Sequence, residues 1–138
     1  MTMITAAEAA SQPLTDDDSV LTRVRSLIGR AEHRCLWFLF LSSDGIQLPI
    51  VLPVDDYPPE PGAEAPVVAD VVGDLMRARQ AASVIVVWER VLGAEATSGD
   101  RAWASALAIA FARADISLRG QLVCHRGGVR WFPADEYL

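Results

Sequence analysis

Residues 83–89, SVIVVWE, are apolar at every position from Val84 to Trp88. Successive side chains of a strand point to opposite faces, so a strand of this composition has to be covered on both sides. That places it at the centre of a sheet with helices above and below. CLWFLFL, residues 35–41, makes the same demand. The stretches around these two runs change period to suit. TDDDSVLTRVRSLIGR puts Val20, Val24, Leu27 and Ile28 near helical spacing, with acids in its first turn and Arg25 and Arg30 towards its end, as the helix dipole favours. VVADVVGDLMRARQ carries Val68, Val71, Val72, Leu75 and Met76 on one helical face, behind Pro66. DRAWASALAIAFARA has a stripe of Trp103, Leu107, Phe111 and Ala114. Thr97 and Asp100 have the spacing of a capping box at its start.

The remaining apolar stretches read as strands. SSDG turns CLWFLFL into IQLPIVLPV, where Pro49 and Pro53 demote the return strand to an edge. ISLRGQLVCH, the tight turn RGG and VRWF close the chain. The order α-β-β-α-β-α-β-β predicts an α/β fold, one mixed β-sheet covered by helices. Residues 1–14 read as a flexible tail of small and polar residues, and 15–138 as a single domain. DDYPPEPGAEAP is a proline-rich surface loop.

The charge of −6 and the lack of any basic stripe argue against nucleic acid as a partner. No apolar run approaches the roughly 20 residues needed to span a bilayer. The N-terminus has no basic segment followed by an apolar one, so no membrane association and a cytoplasmic location are expected. Cys35 and Cys124 lie in apolar strands and read as reduced, buried thiols. All 12 basic residues are arginine, and neither lysine nor asparagine occurs. This bias reflects GC-rich codons and a high-GC bacterial genome, not a ligand.

Open α/β sheets bind ligands beyond the carboxyl ends of their central strands. Here that position belongs to ERVLGAEATSGD, and Glu89, Arg90, Ser98 and Asp100 are the ligand-binding candidates, with Glu95 and Arg101 nearby and Trp88 and Trp103 flanking the loop. No G-x-S-x-G elbow and no G-K-[ST] phosphate loop occurs. For metals, His33 with Cys35 and Cys124 with His125 are the candidate ligands. They lack the paired C-x₂-C spacing of structural zinc sites, and Cys124 and His125 must face opposite sides, so no metal and no cofactor are predicted. Asp16, Asp17 and Asp18 diverge around a helix start and read as capping acids.

The element order, the central strand and the loop-plus-helix VVWERVLGAEATSGDRAW resemble the RadC branch of the JAB/MPN metallopeptidase-like fold over roughly residues 34–133. In that family two histidines follow the central strand and an aspartate opens the next helix. Asp100, after the TSG turn, matches the aspartate, whereas Trp88 and Arg90 stand nearest the histidine positions. The resemblance therefore implies a site that has lost its metal. LWFLFLSSDGIQLPIVLPV and ISLRGQLVCHRGGVRWF are also similar to actinobacterial domains of unknown function. Taken together, these readings predict a non-catalytic α/β domain acting through protein contacts, as a homodimer or with another protein, with Trp131, Phe132 and an edge strand as the interface. The alternative is a small-ligand-binding protein or enzyme using residues 89–100.

Overall fold

The structure is a computed structural model, described here for residues 5–138. Two short helices lead the chain, α1 (Ala6–Ser11) and α2 (Asp17–Leu27). The hairpin β1 (Cys35–Leu41) and β2 (Gln47–Val54) follows, then α3 (Glu64–Arg79), β3 (Ser83–Glu89), α4 (Ser98–Arg113), and the hairpin β4 (Leu118–His125) and β5 (Gly128–Phe132). The five strands form one mixed sheet in the order β2-β1-β3-β4-β5. The α/β fold read from the sequence is the fold observed.

The topology explains which face each helix covers. β1 runs antiparallel to both β2 and β3, so β2 and β3 point the same way, and β4 is parallel to β3. The crossovers β2-α3-β3 and β3-α4-β4 thus step across the sheet in the same direction. Right-handed crossovers taken in one direction place both helices on one face. There α3 and α4 cover Leu36, Phe38, Phe40, Val84, Val86 and Trp88. α2 covers the other face through Val20, Val24 and Leu27, against Leu39, Leu41, Ile85, Val87 and Leu122. The alternating demand of β1 and β3 is met by helices from two different parts of the chain.

The N-terminal segment departs from the tail expected over residues 1–14. Residues 1–4 lie outside the described residues, but from Thr5 onward the chain is ordered on the domain. Thr5 caps α1 by accepting from the Glu8 N–H at 3.1 Å, Ala9 and Leu14 are buried, and the Leu14 N–H donates to the Gly45 carbonyl at 2.8 Å. Buried Arg23 on α2 clamps this segment. It donates to the Gln12 carbonyl and to Gln47 Oε1, both at 2.7 Å. A run of small residues gives no amphipathic signal, yet small residues are what lets this segment lie against β2.

Pro49 and Pro53 are exposed on β2, the edge strand, as their missing N–H groups require. The opposite end of the sheet departs from the expected interface. Phe132 is buried, and half-buried Trp131 packs on the α2 face. Trp131 pairs with Leu122 across the β4/β5 ladder and leans over Gly120, where an added Cβ would meet its Cζ3 at 2.6 Å. The glycine is needed so that the indole can cover the sheet.

Gly120→Ala should therefore destabilise the domain by about 1–3 kcal/mol in urea denaturation, as overpacking does. Combining it with Trp131→Ala should restore part of that loss, giving non-additivity of about 0.5 kcal/mol or more. Strict additivity would show that the indole does not set the cost.

Candidate functional site

β3 ends in two oppositely charged buried residues, Glu89 and Arg90, only 3% and 4% exposed. Strand alternation sends them to different faces. Glu89 shares the α2 face with Ile85 and Val87, and its carboxylate accepts three hydrogen bonds. These come from the Glu32 N–H at 2.8 Å, the His33 N–H at 3.2 Å and Trp37 Nε1 at 2.8 Å. It pins the turn that leads into β1.

Arg90 points the other way and organises the loop into α4. Its guanidinium donates to the Gly93 carbonyl at 2.7 Å and to the Glu95 carbonyl. Its Nε lies 2.7 Å from Asp100 Oδ2, an ion pair by distance whose N–H is off-line for a hydrogen bond. Asp100 also closes the capping box that its spacing from Thr97 predicts. Its carboxylate accepts from the Thr97 N–H at 2.8 Å, while Thr97 Oγ1 accepts from the Asp100 N–H at 3.1 Å. One arginine thus fixes the loop, its cap and the start of α4.

The facing wall is the β2–α3 loop. Arg34 stacks its guanidinium 3.5 Å from the centre of the Tyr57 ring and donates to the carbonyls of Tyr57 and Pro58. Trp103 Nε1 donates to the same Pro58 carbonyl at 2.7 Å. Gly99 brings the first turn of α4 so close to this loop that a Cβ would sit 2.6 Å from the Pro59 carbonyl oxygen. The floor is aromatic. Trp88 and Trp103 lie 6.0 Å apart with Tyr57 set edge-on to both. The Trp88 Nε1–H is satisfied by Gln121 Oε1 at 2.6 Å, and the Gln121 amide donates to the Ala104 carbonyl at 3.0 Å.

Between the two walls a cleft of about 440 Å³ opens at the carboxyl ends of β2 and β3. Arg90, Ser98 and Asp100 line it, as do Arg34, Tyr57, Pro59, Val91 and Leu92. Three of the four residues read from the sequence as ligand-binding candidates are therefore together. Glu89 is the exception, because alternation turns it through the sheet to the α2 face. Arg90 and Asp100 balance one another's charge, although the buried Arg90 Nε–H has no hydrogen-bond partner, and Arg34 is held by backbone carbonyls. Among the described residues, the hydroxyls of Tyr57 and Ser98 have no hydrogen-bond partner in the protein. Burial pushes the Tyr57 phenol up to about 12, so it stays a neutral donor at physiological pH. Sequence reasoning missed Arg34 and Tyr57. Arg34 precedes a strand and Tyr57 sits among prolines, and only the fold brings them together.

The four metal-ligand candidates do not form one cluster. Cys35, Glu89 and Cys124 occupy one register across three strands. Cys35 and Cys124 are thus two strands, about 9.5 Å, apart with Glu89 between them. That is too far for a disulfide or a shared ion. Both thiols are free and buried, and burial pushes each up to about 12. His125 sits at the β4/β5 turn, its Nδ1 accepting from the Gly127 N–H at 3.1 Å. Burial, with Arg130 and Arg90 adding to it, holds this imidazole below the usual histidine range. His33 and Cys35 do come together, with Asp55.

No protein-family model matches the chain, and no curated protein matches it either. No helix of the described residues is long and apolar enough to cross a membrane.

Arg90→Met should cost about 2–4 kcal/mol, because it removes the buried cation that ties the Gly93 and Glu95 carbonyls to the Asp100 carboxylate. Hydrogen exchange should locate the loss in residues 91–100, with β1 and β2 still protected. Uniform deprotection of the whole sheet would contradict this local role.

Proposed function

We propose that this chain is a small-ligand-binding domain that uses the cleft at the carboxyl ends of β2 and β3. The observation that carries the reading is the cleft of about 440 Å³ between the two loops, within the size range of small-molecule sites. It lies where open α/β sheets hold their ligands. The chemistry of its lining favours binding over catalysis. The charged groups of Arg34, Arg90 and Asp100 are engaged in structural bonds, and no nucleophile is paired with a base. What the cleft offers a ligand is the Tyr57 and Ser98 hydroxyls, the first turn of α4 and the apolar surface of Pro59, Val91 and Leu92. The matching ligand is a small organic molecule with an apolar body and one or two acceptor oxygens. Those oxygens meet the hydroxyls and the partial positive charge at the start of α4.

Ser98→Trp plugs the cleft from an exposed position without touching the Arg90 bonds. A ligand-observed NMR screen of small metabolites should give hits that compete with one another, shift the amides of residues 57–60 and 91–100, and lose binding in this variant. Hits that bind the variant equally well, or an empty screen at millimolar concentration, would refute the reading.

A second reading, a domain acting through protein contacts, is favoured by a different surface. Val67 and Val71 on α3 are 56% and 51% exposed, and Ile109 on α4 is 44% exposed. Ile109 lines an alanine-rich groove between the two helices, which also carries Asp70 on one side and Arg113 on the other. In a two-fold dimer each copy's Asp70 would approach the other's Arg113, as an isologous interface requires. Sedimentation at micromolar concentration should then give a dimer that Val71→Asp converts to a monomer. A monomeric parent protein would remove this reading.

A further inference from the structure

On the α2 face, behind the cleft, the same sheet edge gathers a second set of groups. His33, Cys35 and Asp55 each present one ligand-type atom, and these atoms all lie within 4.8 Å of one another. His33 Nε2 is 3.9 Å from Asp55 Oδ1, and on the other side of the ring Nδ1 is 3.6 Å from Glu89 Oε2. We propose that His33, Cys35 and Asp55 form a binding site for a thiophilic divalent cation of the Zn²⁺ class, with Glu89 as the positioning residue behind His33.

Donor chemistry selects the ion. One thiolate, one imidazole and one carboxylate suit zinc or cobalt, whereas magnesium and calcium take oxygen sets. Ligand atoms bound to one tetrahedral zinc stand about 3.5 Å apart, so closing the present set takes a contraction of about 1 Å. His33 and Asp55 have exposed side chains, 57% and 62%, beside the buried sulfur, so the contraction falls on side-chain rotation at the surface.

Glu89 supplies the observation that separates this cluster from a chance grouping. Metal-bound histidines regularly give their second ring nitrogen to a carboxylate, which fixes the tautomer and the ring orientation. Glu89 is held rigid by Trp37 Nε1 and by the backbone N–H of His33 itself, and its carboxylate lies on the Nδ1 side of that same residue. The Nε2 nitrogen is left facing Asp55. Three protein ligands leave a fourth position, on the solvent side that His33 and Asp55 border, for water or an incoming group.

The same residues do not make a good thiol nucleophile. Cys35 is fully buried, and its thiol is pushed up by burial and by Asp55 beside it. An activated cysteine needs exposure and cationic surroundings, whereas a bound cation would itself take the thiol into the deprotonated form.

The test is cobalt titration of the full, untagged chain, purified in the presence of a chelator that is then removed. One Co²⁺ per chain is expected, with a thiolate-to-cobalt charge-transfer band and the intense visible bands of a four-coordinate site, and Zn²⁺ should bleach both. Cys35→Ser should abolish the charge-transfer band. His33→Gln and Asp55→Asn should each weaken affinity about tenfold or more, and Glu89→Gln by about 10–100-fold. Cys124→Ser should leave the spectrum unchanged. Should Cys35→Ser fail to fold, the exposed-residue variants His33→Gln and Asp55→Asn decide the matter alone. Binding without a charge-transfer band, binding unaffected by those two variants, or no binding at millimolar cobalt would overturn the proposal. Because the cleft residues are untouched, failure here leaves the ligand-binding reading standing, and the reverse also holds.

Discussion

Burying two adjacent opposite charges at the end of the central strand is the constraint around which this domain's functional end is built. An unpaired carboxylate or guanidinium in a protein interior costs several kcal/mol, so each has to be supplied with partners. Glu89 obtains three hydrogen-bond donors from the turn before β1 and from Trp37. Arg90 obtains two carbonyls from the loop before α4 and a carboxylate from the first turn of that helix. Apart from Trp37 in β1 and Asp100 in the first turn of α4, these partners lie outside the regular elements. The charges therefore order the loops, and the ordered loops are what give the sheet edge a shape.

The same alternation divides the chemistry of that edge between two faces. Arg34, Tyr57, Trp88 and Arg90 belong to the cleft beneath α4. Their neighbours His33, Cys35, Asp55 and Glu89 belong to the α2 face. Cross-strand register completes the arrangement. Leu41 pairs with Gln47 and Leu39 with Val51, so two steps along β1 span four along β2. This bulge shifts everything beyond it, and continuing the register from the Leu36–Val54 pair brings Asp55 opposite Cys35.

That bulge also marks where the sequence stops being legible. Periodicity and end signals located every strand and the helices α2, α3 and α4, down to the Thr97–Asp100 cap, because each is a local pattern. α1 has no such pattern: its six residues are mostly alanine, and it is held by Arg23 from another helix. Glu89 was grouped with Arg90 and Asp100 by proximity along the chain, although adjacent strand positions oppose one another. That correction was available from the sequence. Asp55 was not, since its place beside Cys35 depends on an irregular hairpin. Arg34 and Tyr57 were equally hidden, because their stacking depends on how a proline-rich loop folds back over the start of β1.

The prolines of β2 have a consequence for assembly. Gln47, Pro49, Val51 and Pro53 alternate to one side of the strand, so along that outer margin two of the four positions have no amide hydrogen to donate. A neighbouring strand laid there could still donate to the carbonyls, but would receive few amide hydrogens in return. β5, the other edge of the sheet, carries no proline. Strand addition is thus disfavoured along one margin of the sheet, which lowers the tendency of the domain to propagate edge to edge.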